Sequence, residues 1–261
     1  MIMGASHITL CCSDIDFAIG SMRRRGYQPD FVDHDVLNHP SKRGILQGWS
    51  DRHAISMLRA KSGIPIELVS YPVERSPSRG RYIGLFKVSE IELAACEELE
   101  VAATALTEYG LPCKAGRFQD LNLPVLIAAG SEGSPGLERL VLPVTDIGRA
   151  QAFWCDGLGF RCAHAISGVA HLTLASPVAA WCLAVTLVRI DVWNDRPPLN
   201  ADGMACLAFL SSNIDDDIAR LALEGAESGT EQFRIVVNNR KLCVAIVGFD
   251  GAYIELVRIL P

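Results

Sequence analysis

Apolar and polar positions along this chain fall into one pattern that returns four times. An alternating run that predicts a strand ends in a small or acidic turn residue, and Ile, a helical stretch and Gly follow. It reads HITLCCSDI from His7 to Ile15 with Gly26, and IGLFKVSEI from Ile83 to Ile91 with Gly110. It returns as RLVLPVTDI from Arg139 to Ile147 with Gly159, and as CLAFLSSNI from Cys206 to Ile214 with Gly225. Further strand-like runs follow each occurrence, so the repeating unit is about 55 to 75 residues long, the size of a supersecondary element that cannot bury its apolar face alone.

In the first unit the pattern predicts a strand around His7 to Cys12 and a helix from about Ser13 to Arg25, with Ser13 and Asp14 as caps. Strand-like runs follow at Phe31 to Val36, Gly44 to Trp49, Ala54 to Ala60 and Ile64 to Tyr71, giving a βαβββ element. Pro72 to Arg81 reads as a loop. The second unit offers a strand at Tyr82 to Val88, a helix over Glu90 to Tyr109 with Leu93, Cys96, Leu99, Ala103 and Leu106 at helical spacing, and a strand at Leu123 to Ala128. GSEGSPG, from Gly130 to Gly136, reads as a linker and divides the chain into expected domains over residues 1–130 and 137–261, two modules each. The third unit has a strand at Leu140 to Val144, a helix around Ile147 to Leu158 closed by Gly159, and strands at His171 to Leu174 and Cys182 to Ile190. Past the turn-rich Asp191 to Gly203, the fourth has a strand at Met204 to Leu210 and a helix over Asn213 to Glu224. Its later strands run over Phe233 to Val237, Lys241 to Val247 and Tyr253 to Ile259. The expected class is α+β, with curved mixed sheets.

Composition narrows the partners. The chain has 261 residues, 49% hydrophobic and 21% charged, enough to bury a large core. Its net charge is −6, and no basic cluster exceeds Arg23 to Arg25, which argues against nucleic acid and for a small-molecule ligand. MIMGASHITL lacks the basic n-region of a signal peptide, and apolar runs such as Trp181 to Val188 are far too short to span a bilayer, so no membrane partner is expected. Nine cysteines without framework spacing suit reduced thiols and a cytoplasmic protein, a monomer or homodimer. Cys11 and Cys12 should face opposite sides of a sheet.

The segments ITLCCSDIDFAI, LVLPVTDIGRAQAFWCDGLGF and FDGAYIELVRI resemble the vicinal oxygen chelate superfamily, which includes glyoxalase I, bleomycin-resistance proteins, fosfomycin-resistance enzymes and extradiol dioxygenases. The resemblance implies four βαβββ modules in two glyoxalase-like domains, with the modules paired into cups whose first and last strands each offer one metal ligand. The first-strand positions are then His7, Ile83, Arg139 and Cys206; the last-strand positions are Glu67 and Glu255 in their shared IEL context, with Leu126 and Thr186 aligned less securely. If modules pair within each half, neither cup gathers enough ligands. If the outer modules exchange partners, one cup collects His7, Glu67, Glu255 and Cys206, and we favour that pairing.

What the resemblance implies chemically is a divalent ion (Zn, Ni, Co or Mn) acting as a Lewis acid, with Glu67 or Glu255 moving a proton beside a carbonyl. Isomerase, lyase or epimerase chemistry on a small oxygen-rich substrate is the first expectation. A metal-free protein that sequesters a small molecule is the alternative, since the glyoxalase pattern of His or Gln, Glu, His, Glu is broken at Cys206. Ring cleavage of the extradiol type, which needs two His and a carboxylate, is less favoured. Each candidate also has a plain reading: His7 as a hydrogen-bonded core histidine, Glu67 and Glu255 as the exposed face of ordinary strands, Arg139 in a surface ion pair, and Cys206 as a small hydrophobe. His53 and His171 could enter a cup, whereas His34, His39 and His164 should face solvent.

Overall fold

Alternation along the first strand sets the whole arrangement. In β1 (Ile2–Cys11), Ile8 and Leu10 pack into the large apolar core with the helices, while His7 and Thr9 point the other way. Cys12 joins that core and Cys11 a second apolar cluster on the opposite side, as their adjacency predicts. The computed structural model describes residues 1–61, 63–73, 83–88, 97–98, 114–118, 123–129, 136–166, 168–175, 182–190 and 197–261.

The first module continues with α1 (Ile15–Arg24), β2 (Tyr27–Leu37), β3 (Arg52–Ala60) and β4 (Ile66–Ser70). Asp14 caps α1 by accepting from the Phe17 backbone N–H. The strand expected over Gly44 to Trp49 does not form. After a 3₁₀ turn at Pro40–Lys42, where Pro40 fixes the chain for helical entry, turns and bends occupy residues 43–48, and Gly48 takes a φ of +71°. Of the second module the described parts are β5 (Ile83–Val88), β6 (Glu97–Glu98), β7 (Lys114–Phe118) and β8 (Leu123–Ala129). The helix expected over Glu90 to Tyr109 otherwise lies outside the described residues; its two described positions, Glu97 and Glu98, pair with β7. The loop expected at Pro72 to Arg81 and the linker at Gly130 to Gly136 also lie largely outside them.

The third module comprises β9 (Gly136–Val144), α2 (Ile147–Ala152), β10 (Arg161–Ile166), β11 (Val169–Ala175) and β12 (Cys182–Arg189). Its helix widens into a π segment over Phe153–Gly157. The fourth comprises β13 (Gly203–Ser211), α3 (Ile214–Leu223), β14 (Phe233–Val237), β15 (Arg240–Phe249) and β16 (Ala252–Ile259). Asn238 and Asn239, then Asp250 and Gly251, all have positive φ and form the two-residue turns that close its hairpins.

The modules pair across the chain. One sheet runs β14-β15-β16-β13-β1-β4-β3-β2 and joins the fourth module to the first; the other runs β10-β11-β12-β9-β5-β8-β7-β6 and joins the third to the second. The inner strands β1 and β13 are antiparallel, with Ile8 opposite Leu207, whereas β4 and β16 lie parallel to them on either side. Phe153 stacks on Phe249 with ring centroids 3.7 Å apart, and Trp154 and Phe160 meet Phe209 edge-on, so one apolar core serves both sheets. Two polar ties reinforce it. Leu137 N–H donates to the Tyr27 hydroxyl at 2.9 Å, and Thr145 donates through its N–H and hydroxyl to the Asp250 carboxylate. No helix among the described residues is long and apolar enough to cross a membrane.

Because each sheet needs a module from either side of residues 130–136, cleavage there should not separate the molecule. A protease site introduced into that segment and cut is predicted to leave both fragments eluting together at the intact size on gel filtration. Two independently eluting folded fragments would contradict this topology.

Candidate metal centre

The site is built by strand register. In the first sheet Thr9 lies beside Glu67 across the parallel β1–β4 pair, and Ala208 lies beside Glu255 across β13–β16. Thr9 is also opposite Cys206, and His7 opposite Ala208, across β1–β13. These registers describe a local twofold in which Glu67 matches Glu255, and His7 matches Cys206. Ile66 and Leu68, like Ile254 and Leu256, anchor the opposite face of their strands in the apolar core, which turns both carboxylates into the cup.

Three of the four expected ligand residues converge. One ligand-type atom each from His7, Glu67 and Glu255 lies within 4.8 Å of the other two. His7 Nε2 is 3.6 Å from Glu67 Oε1 and 3.9 Å from Glu255 Oε2. Two metal–ligand bonds of about 2.0–2.2 Å set ligand atoms roughly 3–4 Å apart, so the spacing suits one small divalent cation. The His7 side chain is 7% exposed, and its Nε2 is buried without a hydrogen-bond partner. Its other nitrogen, Nδ1, is 2.9 Å from Ser6 Oγ, and a donating Nδ1–H there leaves the Nε2 lone pair aimed between the carboxylates. Thr9 Oγ1 donates to Glu67 Oε2 at 3.0 Å, fixing that carboxylate.

Cys206, the fourth expected ligand, sits outside the ligand cluster. Its buried thiol donates to Glu255 Oε2 at 3.7 Å, so it orients a carboxylate as Thr9 does for Glu67. Burial and the Glu255 charge push the thiol well above its ordinary range, which keeps it protonated and a donor.

The same charges split the two carboxylates. Burial alone would raise Glu67, but His7 and the Thr9 hydrogen bond outweigh it and hold the group below its ordinary value. Burial and the Glu67 charge push Glu255 up, against smaller opposing effects of His7, Lys42 and Cys206. Burial works against a charged His7, yet Glu67 and Glu255 together lift its imidazole above the usual value. The cluster therefore favours a positive charge at its centre.

A cavity of about 580 Å³ opens over the cluster, lined by Lys42, His53, Met57, Arg59, Val244 and Val257 among others. Arg59 is ion-paired with Asp30. Lys42 and His53 face the cavity: His53 is one of the two histidines expected to be able to enter a cup, whereas nothing in the sequence marked Lys42, which lies on the 3₁₀ turn just before the expected strand at Gly44 to Trp49. Ser6 and Thr9 were legible only as neighbours of His7.

The second sheet's counterpart is different in kind. Arg139 Nη1 donates to Thr186 Oγ1 at 3.0 Å and lies 3.2 Å from His171 Nδ1, with Thr186 Oγ1 2.9 Å from the same nitrogen. Ile83 and Leu126 lie on the paired strands β5 and β8, and their side chains fall outside the described residues. His34 is exposed near Asp16, His39 stacks on Phe233, and the exposed His164 stacks on His171.

His53 is 4% exposed, stacks on Tyr71 at 5.1 Å, and has an unpartnered Nδ1. Burial, helped by Lys42 and opposed by Glu67, lowers its pKa from 6.5 to about 3. The folded state thus binds this proton less readily than the unfolded chain. The stability contributed by neutral His53 is complete above pH 6.5 and is lost as pH falls toward 3. From pH 7 to pH 5 the wild type should lose about 2 kcal/mol through this group, a loss absent from His53→Phe. Urea unfolding of both proteins at the two pH values measures the difference; parallel pH dependence would refute it.

No family model and no curated protein gives a significant match to this sequence. Solved structures do match. A point variant of glyoxalase I from Zea mays superposes with a TM-score of 0.60 at 15% identity, over 98% of this chain and 92% of its own. Unaltered glyoxalase I from Zea mays gives 0.56 at 12% identity over 98% and 92%. A Bacillus subtilis protein described as a candidate dioxygenase gives 0.57 at 10% identity over 100% and 86%. Cross-paired βαβββ modules, carboxylates on the last strands of the outer modules and this end-to-end superposition make the fold of this chain the vicinal oxygen chelate fold of glyoxalase I.

Proposed function

We propose that this protein is a metal-dependent enzyme of glyoxalase type that moves a proton on a small, oxygen-rich substrate, in isomerase, lyase or epimerase chemistry. The observation that carries this reading is the convergence of His7 Nε2, Glu67 and Glu255, from opposite ends of the chain, on one point beneath a cavity of substrate size. One imidazole and two carboxylates suit a borderline ion such as Zn, Ni, Co or Mn. When bound, a divalent ion polarises adjacent substrate oxygens and stabilises the charge that develops on them as a neighbouring C–H proton is lost.

The chain's residues supply the remainder. Ser6 holds the His7 ring in the orientation and tautomer a ligand needs, and Thr9 keeps one Glu67 oxygen occupied and that carboxylate ionised. Glu255 is the carboxylate assigned to accept the substrate proton and return it, because Glu67 is the one fixed by both His7 and the Thr9 hydroxyl. The Cys206 thiol keeps Glu255 facing the cavity during that exchange. The apolar walls, Met57, Val244 and Val257 among them, limit water around the reacting carbon.

A second reading has its own observation. The twofold mate of His7 is a protonated thiol and not a fourth ligand, which favours a cup that binds a small molecule without metal. A ring-cleaving site of two His and one carboxylate is disfavoured because the described cluster has a single His. The comparison with glyoxalase I supports the first reading through the fold alone.

Elemental analysis distinguishes the two. Protein purified without added metal, or dialysed against one equivalent of Zn, is predicted to retain one ion per chain, and His7→Ala and Glu255→Ala are predicted to retain none. Equal metal content in all three would discard the proposal. Ser6→Ala, which frees the ring without removing a ligand, should weaken metal affinity by about 10–100-fold in a chelator competition. An unchanged affinity would show that Ser6 does not orient His7.

A further inference from the structure

We infer that Lys42 is the anchor for a negatively charged group of the substrate, so that the cup selects a small monoanion whose chelating oxygens lie beside a carboxylate or another single charge. This rests on the metal-centred function proposed above and names its substrate class.

Lys42 ends the 3₁₀ turn Pro40–Lys42 and is only 7% exposed, an unusual place for an ammonium without a partner. Among the described residues its ammonium makes no close ion pair and no side-chain hydrogen bond; the Phe233 ring lies 5.7 Å from Nζ to the centroid, and Glu67 and Glu255 feel its charge from across the cavity. It lines the large cavity together with His7, Glu67 and Glu255. It also lines a separate hole of about 20 Å³ on the far side of the carboxylates, walled by Thr9, Tyr71 and Cys206 and large enough for a water. Its field reaches both carboxylates of the cluster, favouring ionised Glu67 and Glu255, and also acts on Cys206 and on His53, which it keeps neutral.

Charge counting gives the substrate class. As ligands of a cation, Glu67 and Glu255 would carry two negative charges, and His7, bound through a neutral imidazole, would add none. Without a cation, the carboxylates favour a charged His7, and Lys42 offsets a smaller part of their charge from inside the cup. With a divalent cation the ligand set is neutral overall, and Lys42 is left as a single buried positive charge with nothing to balance it. Arg59 is already occupied by Asp30. A neutral substrate would leave that charge uncompensated, a dianion would overcompensate it, and a monoanion chelating through one charged and one neutral oxygen matches it. The cation and the anion should therefore bind cooperatively, each making the site electrostatically complete for the other.

Glycolate and glycolamide test this, since they offer the same pair of oxygens with and without the charge. Both are titrated calorimetrically into the full chain loaded with Zn, as wild type, K42M and K42R, with metal content measured on the same preparations. K42M is expected to weaken glycolate by about tenfold or more while changing glycolamide by less than about twofold, and K42R to keep glycolate affinity within about threefold. K42Q, which keeps a polar terminus in the cavity, makes the same comparison if K42M does not fold. Equal weakening of both ligands, no weakening of either, or no glycolate binding by metal-loaded wild type overturns the inference and leaves the metal-centred function standing. Reduced metal retention in K42M with an unchanged ligand preference would make Lys42 a counter-ion of the carboxylates and also overturns it. A wild type that holds no metal removes the proposed function and this inference with it.

Discussion

Where β1 runs antiparallel to β13, with Ile8 opposite Leu207, the first and last modules of the chain become one sheet, and every other feature of the site follows from that register. β4 and β16 then lie on either side, each parallel to its own module's first strand, so that Glu67 and Glu255 flank the same pair of central strands. A slip of one residue in β1–β13 would turn His7 into the apolar core and Ile8 into the cup. The core forbids it: Ile8, Leu10, Leu207 and Phe209 are all almost completely buried on the far face. Burial of apolar side chains on one face thus fixes the placement of polar ones on the other, at no separate cost for positioning.

The twofold that this register creates is broken by chemistry rather than by backbone. His7 and Cys206 are mates, and so are Thr9 and Ala208. Glu67 consequently faces an imidazole and accepts from a hydroxyl, whereas Glu255 accepts from a thiol and feels the charge of Glu67. Two carboxylates in equivalent places are driven apart in proton affinity, one down and one up. That separation is what a site needs if one carboxylate is to remain a fixed anion while the other exchanges a proton.

Much of this was legible in the sequence because it is periodic. The repeated strand–turn–Ile–helix–Gly pattern located both pairs of module starts, and the IEL context located Glu67 and Glu255. The hairpin strands of the fourth module lie close to where alternation placed them, closed by Asn238–Asn239 and Asp250–Gly251. Pairing across the halves was legible only indirectly, through the wish to gather ligand-type residues in one cup, because register between distant strands leaves no local mark. Gly44 to Trp49 misled because aliphatic and aromatic residues in a short run look the same in a strand and in a turn that packs them. β10 was missed since Arg161 to Ala165 are exposed and show no alternation of large apolar and polar residues. His53 was marked as able to enter a cup, but Lys42 escaped notice for a similar reason: its meaning comes from a cavity assembled by β3, β16 and the turn that carries it, not from spacing along the chain.

The central claim is that one cation is held jointly by the two ends of the polypeptide, and anomalous diffraction from crystals grown with Mn or Zn tests it most directly. The account predicts one strong anomalous peak per chain, within about 2.3 Å of His7 Nε2 and of an oxygen from both Glu67 and Glu255. A peak elsewhere in the molecule, or a map in which His7 and Glu255 open into different cavities, would contradict it.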